Sequence, residues 1–142
     1  MEIISPIHGK MIYEENEIIT FERGIPGFEY LKKFIIKEVG EDSPFNILQS
    51  IEDKDIGFIV ISPFMIIDSY EIKLSEEILK NLRIKKEEEV VLYSLVTLNE
   101  RVENITANLK APLVINITNQ KGEQYILDKE KYKIKTKVFN DL

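Results

Sequence analysis

Cysteine and tryptophan are absent from the 142-residue chain, and His8 is its only histidine. The first absence excludes a disulfide framework, a thiolate nucleophile and the sulfur-ligated kind of zinc site. A single histidine excludes a multi-histidine metal centre drawn from this chain. Lying between Pro6 and Gly9, His8 reads as a turn residue. Long apolar runs are also missing: the longest uncharged stretch, 56–67, is punctuated by Gly57, Ser62 and Pro63 and falls short of the roughly 20 residues of a membrane helix. The N-terminus carries Glu2 where a signal peptide needs a positive segment, so the expectation is a cytoplasmic protein with no membrane contact.

What the chain does contain is acid. Its formal charge is −6, and residues 14–55 alone hold 11 acids against 5 bases. Residues 121–142 reverse the balance, with 6 lysines against 4 acids. Neutralising nucleic-acid phosphates requires a basic face, so direct binding of RNA or DNA is disfavoured. The acidic half would instead steer a basic protein partner, or serve only as a solvated surface.

The acids are not arranged for catalysis or metal binding. Glu14, Glu15 and Glu17, the pair Asp53 and Asp55, and the run Glu87-Glu88-Glu89 read as solvated turns. The segment Glu52-Asp53-Lys54-Asp55-Ile56-Gly57 begins like a calcium loop and then lacks the closing bidentate acid. No phosphate-cradling glycine loop, nucleophile elbow or dinucleotide fingerprint is present, so the reading is of a non-enzymatic protein with no cofactor.

Hydrophobic residues follow a period of two, broken by charged or glycine-bearing turns about every ten residues. Strands are predicted over 10–13, 18–21, 34–39, 45–50, 57–62, 70–74, 90–97, 105–110, 113–118, 124–127 and 132–138. Residues 14–17 form a charged loop of hairpin length between the first two, and 119–122 closes a later hairpin in which Gly122 supplies positive φ. One helix interrupts the strands: Ser75 caps it, Glu76 and Glu77 favour its first turn, and Ile78, Leu79 and Leu82 form its apolar stripe. The run 90–97 is dense enough in apolar residues for a central strand covered on both faces. Residues 132–138 alternate lysines with apolar residues, the pattern of a guarded edge strand or of a binding stripe. The fold expected is mainly β, a single compact antiparallel barrel-like or sandwich-like domain over 1–142 with one short helix.

Two segments carry more specific information. Phe21-Glu22-Arg23-Gly24-Ile25-Pro26-Gly27-Phe28-Glu29 places two glycines around a proline inside an apolar frame, and Thr106-Ala107-Asn108-Leu109-Lys110-Ala111-Pro112-Leu113-Val114-Ile115-Asn116 is a proline-broken strand pair with an asparagine on each arm. Together with Leu48-Gln49-Ser50, Phe58-Ile59-Val60-Ile61-Ser62-Pro63 and Gly122 followed by Tyr125-Ile126-Leu127, they resemble the FliW flagellar assembly factors of bacteria in one order along nearly the whole chain. Where relatives more often carry a Thr-x-x-aromatic pattern, this chain has Ser5-Pro6-Ile7-His8.

The resemblance implies a β-barrel-like protein that binds newly made flagellin and the translational regulator CsrA, relieving repression of flagellin synthesis by partner switching. The free protein is expected to be a monomer. A flagellin-specific chaperone without CsrA binding, or a small-ligand or nucleic-acid-binding barrel, are the alternatives. Charge placement and the apolar run after Pro63 select Glu14, Glu15, Glu17, Asp53, Asp55, Asp68 and Glu71 as candidate contacts, with Phe64 and Ile66 as apolar anchors. That run either reaches the surface as a patch with an acidic rim or covers an open end of the barrel.

Overall fold

The computed structural model describes residues 1–128 and 130–139. Two sheets are present: a hairpin of β1 (Glu2–Ser5) with β2 (Gly9–Ile12), and a nine-stranded sheet. The larger sheet comprises β3 (Ile19–Thr20), β4 (Lys33–Glu38), β5 (Phe45–Ser50), β6 (Gly57–Ile61), β7 (Val90–Thr97), β8 (Thr106–Ala107), β9 (Leu113–Asn116), β10 (Lys121–Gln124) and β11 (Thr136–Lys137). Its order is β11-β8-β7-β6-β5-β4-β3-β10-β9, and β9 returns to pair with β7. Seven strands therefore close a ring, while β8 and β11 extend beyond it. This is the barrel-like, mainly β architecture expected, with the single helix α1 (Glu76–Asn81) outside the ring.

Strand alternation divides the side chains between two environments. Phe34, Leu48, Val60, Leu113 and Ile115 face one another with Phe21, Ile25 and Leu31 in the main core, where Phe21 and Phe34 meet edge to face at 5.6 Å. Their sequence neighbours point outward and need separate covers. The β1–β2 hairpin brings Met11 over Ile35 and Ile47, with Tyr13 just beyond it. Helix α1 seats Ile78 and Leu82 against Val114. Tyr70, Leu109, Leu127 and Tyr132 form a third outer cluster.

The glycine-proline segment closes one end of the core. Gly24 has φ +68, and a Cβ there would lie 2.5 Å from the Glu29 Cα, so this position combines left-handed backbone with close chain approach. Ile25 is buried and Phe28 half-buried beside the core. The Leu48-Gln49-Ser50 segment stabilises the β5–β6 turn. Buried Gln49 donates from Nε2 to the carbonyls of Ser50, Lys54 and Ile56 at 3.0, 3.1 and 3.0 Å, and Ser50 Oγ accepts from the amides of Glu52 and Asp53. At the Pro112 corner, Asn108 Oδ1 accepts from the amides of Lys110 and Ala111. Asn116 instead secures the helix, donating from Nδ2 to the Leu82 carbonyl at 2.8 Å.

Several local expectations are corrected. β2 pairs with β1, which the pattern missed because exposed Ile4 and Ile12 blur its alternation, and it does not pair with β3. Gln120, at φ +55, turns the β9–β10 hairpin, whereas Gly122 lies in β10 where a Cβ would come 2.7 Å from the Phe21 ring. Residues 70–74 form no strand, because Tyr70 turns inward to donate its hydroxyl to the Leu109 carbonyl at 2.7 Å. Of 132–138 only Thr136–Lys137 is strand. β7 is not covered on both faces: only Ser94 is fully buried, because a groove opens along its outer side. One ring contact, Thr20 with Lys121, is parallel.

Candidate functional site

The groove begins where β6 ends. Ser62 leads into a short 3-10 turn, Pro63–Met65, with proline at a first-turn position where its missing N–H costs nothing. The turn throws Phe64 and Met65 outward, leaving them 46% and 63% exposed, while Ile66 and Ile67 are half-buried against the Tyr70 cluster. Phe64 is held by an edge contact with Tyr70 at 5.8 Å. Tyr70 in turn packs against the tilted Tyr132 ring at 4.5 Å, and the Tyr132 hydroxyl accepts from the Glu71 amide at 2.9 Å. Burial pushes the Tyr70 hydroxyl pKa up, and the neighbouring Tyr132 adds to the shift, so this hydroxyl is a fixed donor.

From Tyr70 the chain crosses as an irregular strap to Ser75, whose Oγ accepts from the Ile78 amide and starts α1. Strap, helix and β7 together enclose a cleft of about 1000 Å³. Val90 and Leu92 form its floor, Leu74, Leu79 and Ile84 one wall, and Phe64, Met65 and Tyr70 the other. Glu71, Lys73, Lys85, Lys86 and Glu87 line it as well, giving a mixed-charge rim around apolar walls. Such a surface can bury side chains of a partner and orient it by the rim charges.

Of the sequence-selected residues, Phe64 and Glu71 line the cleft; Ile66 packs half-buried against the Tyr70 cluster, and Asp68 is exposed outside the lining. The others do not join them. Asp53 and Asp55 sit in the β5–β6 turn, at the opposite end of β6 from Phe64, where Asp53 Oδ1 accepts from the Asp55 amide at 3.0 Å. Glu14, Glu15 and Glu17 lie in and before a 3-10 turn between β2 and β3. There the Glu17 carboxylate accepts from the Glu14 amide at 3.0 Å and meets Lys37 Nζ at 3.1 Å. The amide bond first and Lys37 second lower the Glu17 pKa. Met65 belongs to the apolar run after Pro63 that the sequence singles out, whereas Lys73, Lys85, Lys86 and the helix-side wall carry no such signal. The alternation Glu71-Ile72-Lys73-Leu74 signals a half-covered segment, and its period is also that of a strand.

Among the described residues no helix is long and apolar enough to cross a membrane, and no group of three or more His, Asp or Glu is placed to hold a metal ion. Ring and cleft together define a small β-ring domain whose outer face carries an apolar cleft roofed by a helix and a strap. Comparison with known proteins makes this specific. The FliW protein family model matches residues 2–138. The flagellar assembly factor FliW of Clostridium tetani is 50% identical over 141 residues, covering 99% of this chain and 97% of that protein. That of Clostridium beijerinckii is 48% identical over 135 residues, covering 95% and 96% respectively. A solved crystal structure of the flagellar assembly factor FliW superposes with a TM-score of 0.89 at 40% identity, covering 99% of both chains. The chain belongs to the FliW family.

Proposed function

We propose that this chain is a cytoplasmic flagellar assembly factor, acting as a single domain without catalysis. It binds flagellin and antagonises CsrA by partner switching, relieving repression of flagellin synthesis. Family membership supports the first part of this reading, and the observation that carries the binding role is the cleft with Phe64 and Met65 held outward on its wall. Exposed aromatic and methionine side chains beside a concavity supply contact area at low ordering cost. Glu71 lines the cleft and exposed Asp68 lies three residues before it, and both would meet basic groups of a partner, whereas Glu14, Glu15, Glu17, Asp53 and Asp55 form separate acidic surfaces suited to steering.

Titration with purified CsrA, followed by addition of a flagellin C-terminal peptide to the complex, tests the switch. Saturable CsrA binding that the peptide reverses is the expected result. Peptide binding without any CsrA response would leave a flagellin-specific chaperone, and binding of neither would overturn the proposal. Phe64→Ala should weaken partner binding by about tenfold without lowering the unfolding temperature, the behaviour of an anchor at the centre of a contact.

A further inference from the structure

The strap that walls the cleft is hydrogen-bonded to the molecule from behind, through tyrosine hydroxyls. Of residues 71–74, Glu71 and Lys73 are exposed, while Ile72 and Leu74 are half-buried on the Tyr70 and Ile78 clusters. The Glu71 amide donates to the Tyr132 hydroxyl at 2.9 Å, and the Tyr125 hydroxyl donates to the Lys73 carbonyl at 3.3 Å. Among the described residues the amides of Ile72, Lys73 and Leu74 meet no backbone acceptor, so no ladder bond joins the strap to a strand. Sparse burial and solvent-facing backbone groups mark a segment that opens locally at low cost.

Both ends of the strap are fixed. Tyr70 is buried, with its amide donating to the Ile67 carbonyl at 3.0 Å and its hydroxyl to the Leu109 carbonyl. Ser75 caps α1, and its carbonyl accepts from the Leu79 amide at 3.1 Å. The two supporting tyrosines are pinned to the chain around Pro112. The Tyr125 amide donates to the Pro112 carbonyl at 2.9 Å, and the Lys133 carbonyl, next to Tyr132, accepts from the Leu109 amide at 3.1 Å. Neither tyrosine lines the cleft, whereas all four strap residues do.

We propose that residues 71–74 form a movable wall of the cleft, opening to admit a partner and closing over it, and that Tyr125 and Tyr132 are the positioning residues that hold it closed. A fixed floor and helix wall with one adjustable wall lets a single cleft fit two unlike segments in turn, as partner switching requires. The inference rests on the reading of the cleft as the binding surface and adds how that surface is gated. A net hydrogen bond shifts an equilibrium by roughly two- to tenfold, so loss of these two ties is enough to change how often the wall stands open.

Exchange of tyrosine for phenylalanine keeps the packed ring and removes only the hydroxyl. In the free protein, Y132F should speed amide hydrogen exchange at Glu71 by at least about tenfold, read by NMR, with the β9 amides unchanged. In binding kinetics with purified CsrA and with the flagellin C-terminal peptide, Y125F/Y132F should associate at least about twofold faster and dissociate about tenfold faster, at an unchanged unfolding temperature. A wall that only shaped the cleft would leave association unchanged. Y125F, which removes one tie, should move both rates in the same direction if the double variant fails to fold. Unaltered exchange at Glu71, or association that is unchanged or slower, would overturn the movable wall and leave the cleft as a binding surface. Binding of neither probe by the parent protein would overturn that reading, and the gate with it.

Discussion

Gly122 is close-packed against a buried ring. A methyl group there would meet Phe21 at 2.7 Å, and Phe21 has no exposed surface into which to move. Gly122→Ala should therefore destabilise the fold by about 1–3 kcal/mol, the usual cost of overpacking, as read from urea unfolding. Gln120→Gly should change stability by less than about 1 kcal/mol in the same assay, because relief of a φ of +55 is offset by loss of the 2.6 Å bond that Gln120 Nε2 donates to the Asn16 carbonyl. Sequence alone assigned the turn to the glycine, since a tight glycine contact and a glycine turn look alike until the opposing ring is placed. A second residue-scale consequence concerns pH. The Glu52 carboxylate accepts from the amides of Lys32 and Lys33 at 2.6 and 2.8 Å, and these bonds lower its pKa below the ordinary 4.5. Its folded pKa is depressed, so it contributes stability above the unfolded value and loses that contribution as pH falls through the folded one. Exposure to solvent limits the effect. Glu52→Gln should cost on the order of 1 kcal/mol or less at neutral pH, and the gap between variant and parent in urea midpoint should close in acid below the carboxylate range.

The β1–β2 hairpin acts as an external cover whose importance lies in what it hides. Ile35 and Ile47 point out of the ring and are buried only because Met11 and its neighbours lie over them. Removing residues 1–13 should leave an apolar patch on β4 and β5 and produce self-association, visible as a concentration-dependent mass in analytical ultracentrifugation. The cap of α1 makes a smaller contribution: Ser75→Ala should lower stability by about 1 kcal/mol in thermal unfolding. Helix α1 and the β4, β5 and β6 strands were legible because their apolar spacing is regular and their ends carry capping or turn residues. The strap after Tyr70 was not, since its alternation of Ile72 and Leu74 with charged neighbours is identical to that of a half-buried strand. What removes it from the sheet is the distant tie from the Tyr70 hydroxyl to Leu109, which no local pattern records. The candidate site was legible to the same extent. The proline and four large apolar residues marked one wall, while the other wall arises from α1 meeting β7 in three dimensions.

At the scale of the whole molecule, a ring exists only if its first and last members meet. Thr20 of β3 pairs with Lys121 of β10, and β9 must dock on β7 to finish the circuit. A chain ending before β9 lacks both contacts and leaves Phe21, Phe34 and Leu48 without Leu113 and Ile115 as packing partners; it should show no cooperative unfolding transition by circular dichroism. The β4, β5 and β6 hairpins, by contrast, join neighbours in sequence. Closure across so long a separation places this fold among those that reach the native state in milliseconds to seconds, with the adjacent hairpins formed early and the ring sealed last. During synthesis the same order becomes a timing rule. Helix α1 seats on Val114 of β9, so the outer surface of β7 can hold its cleft only after β9 has left the ribosome, and the proposed recognition surface is completed in one late step.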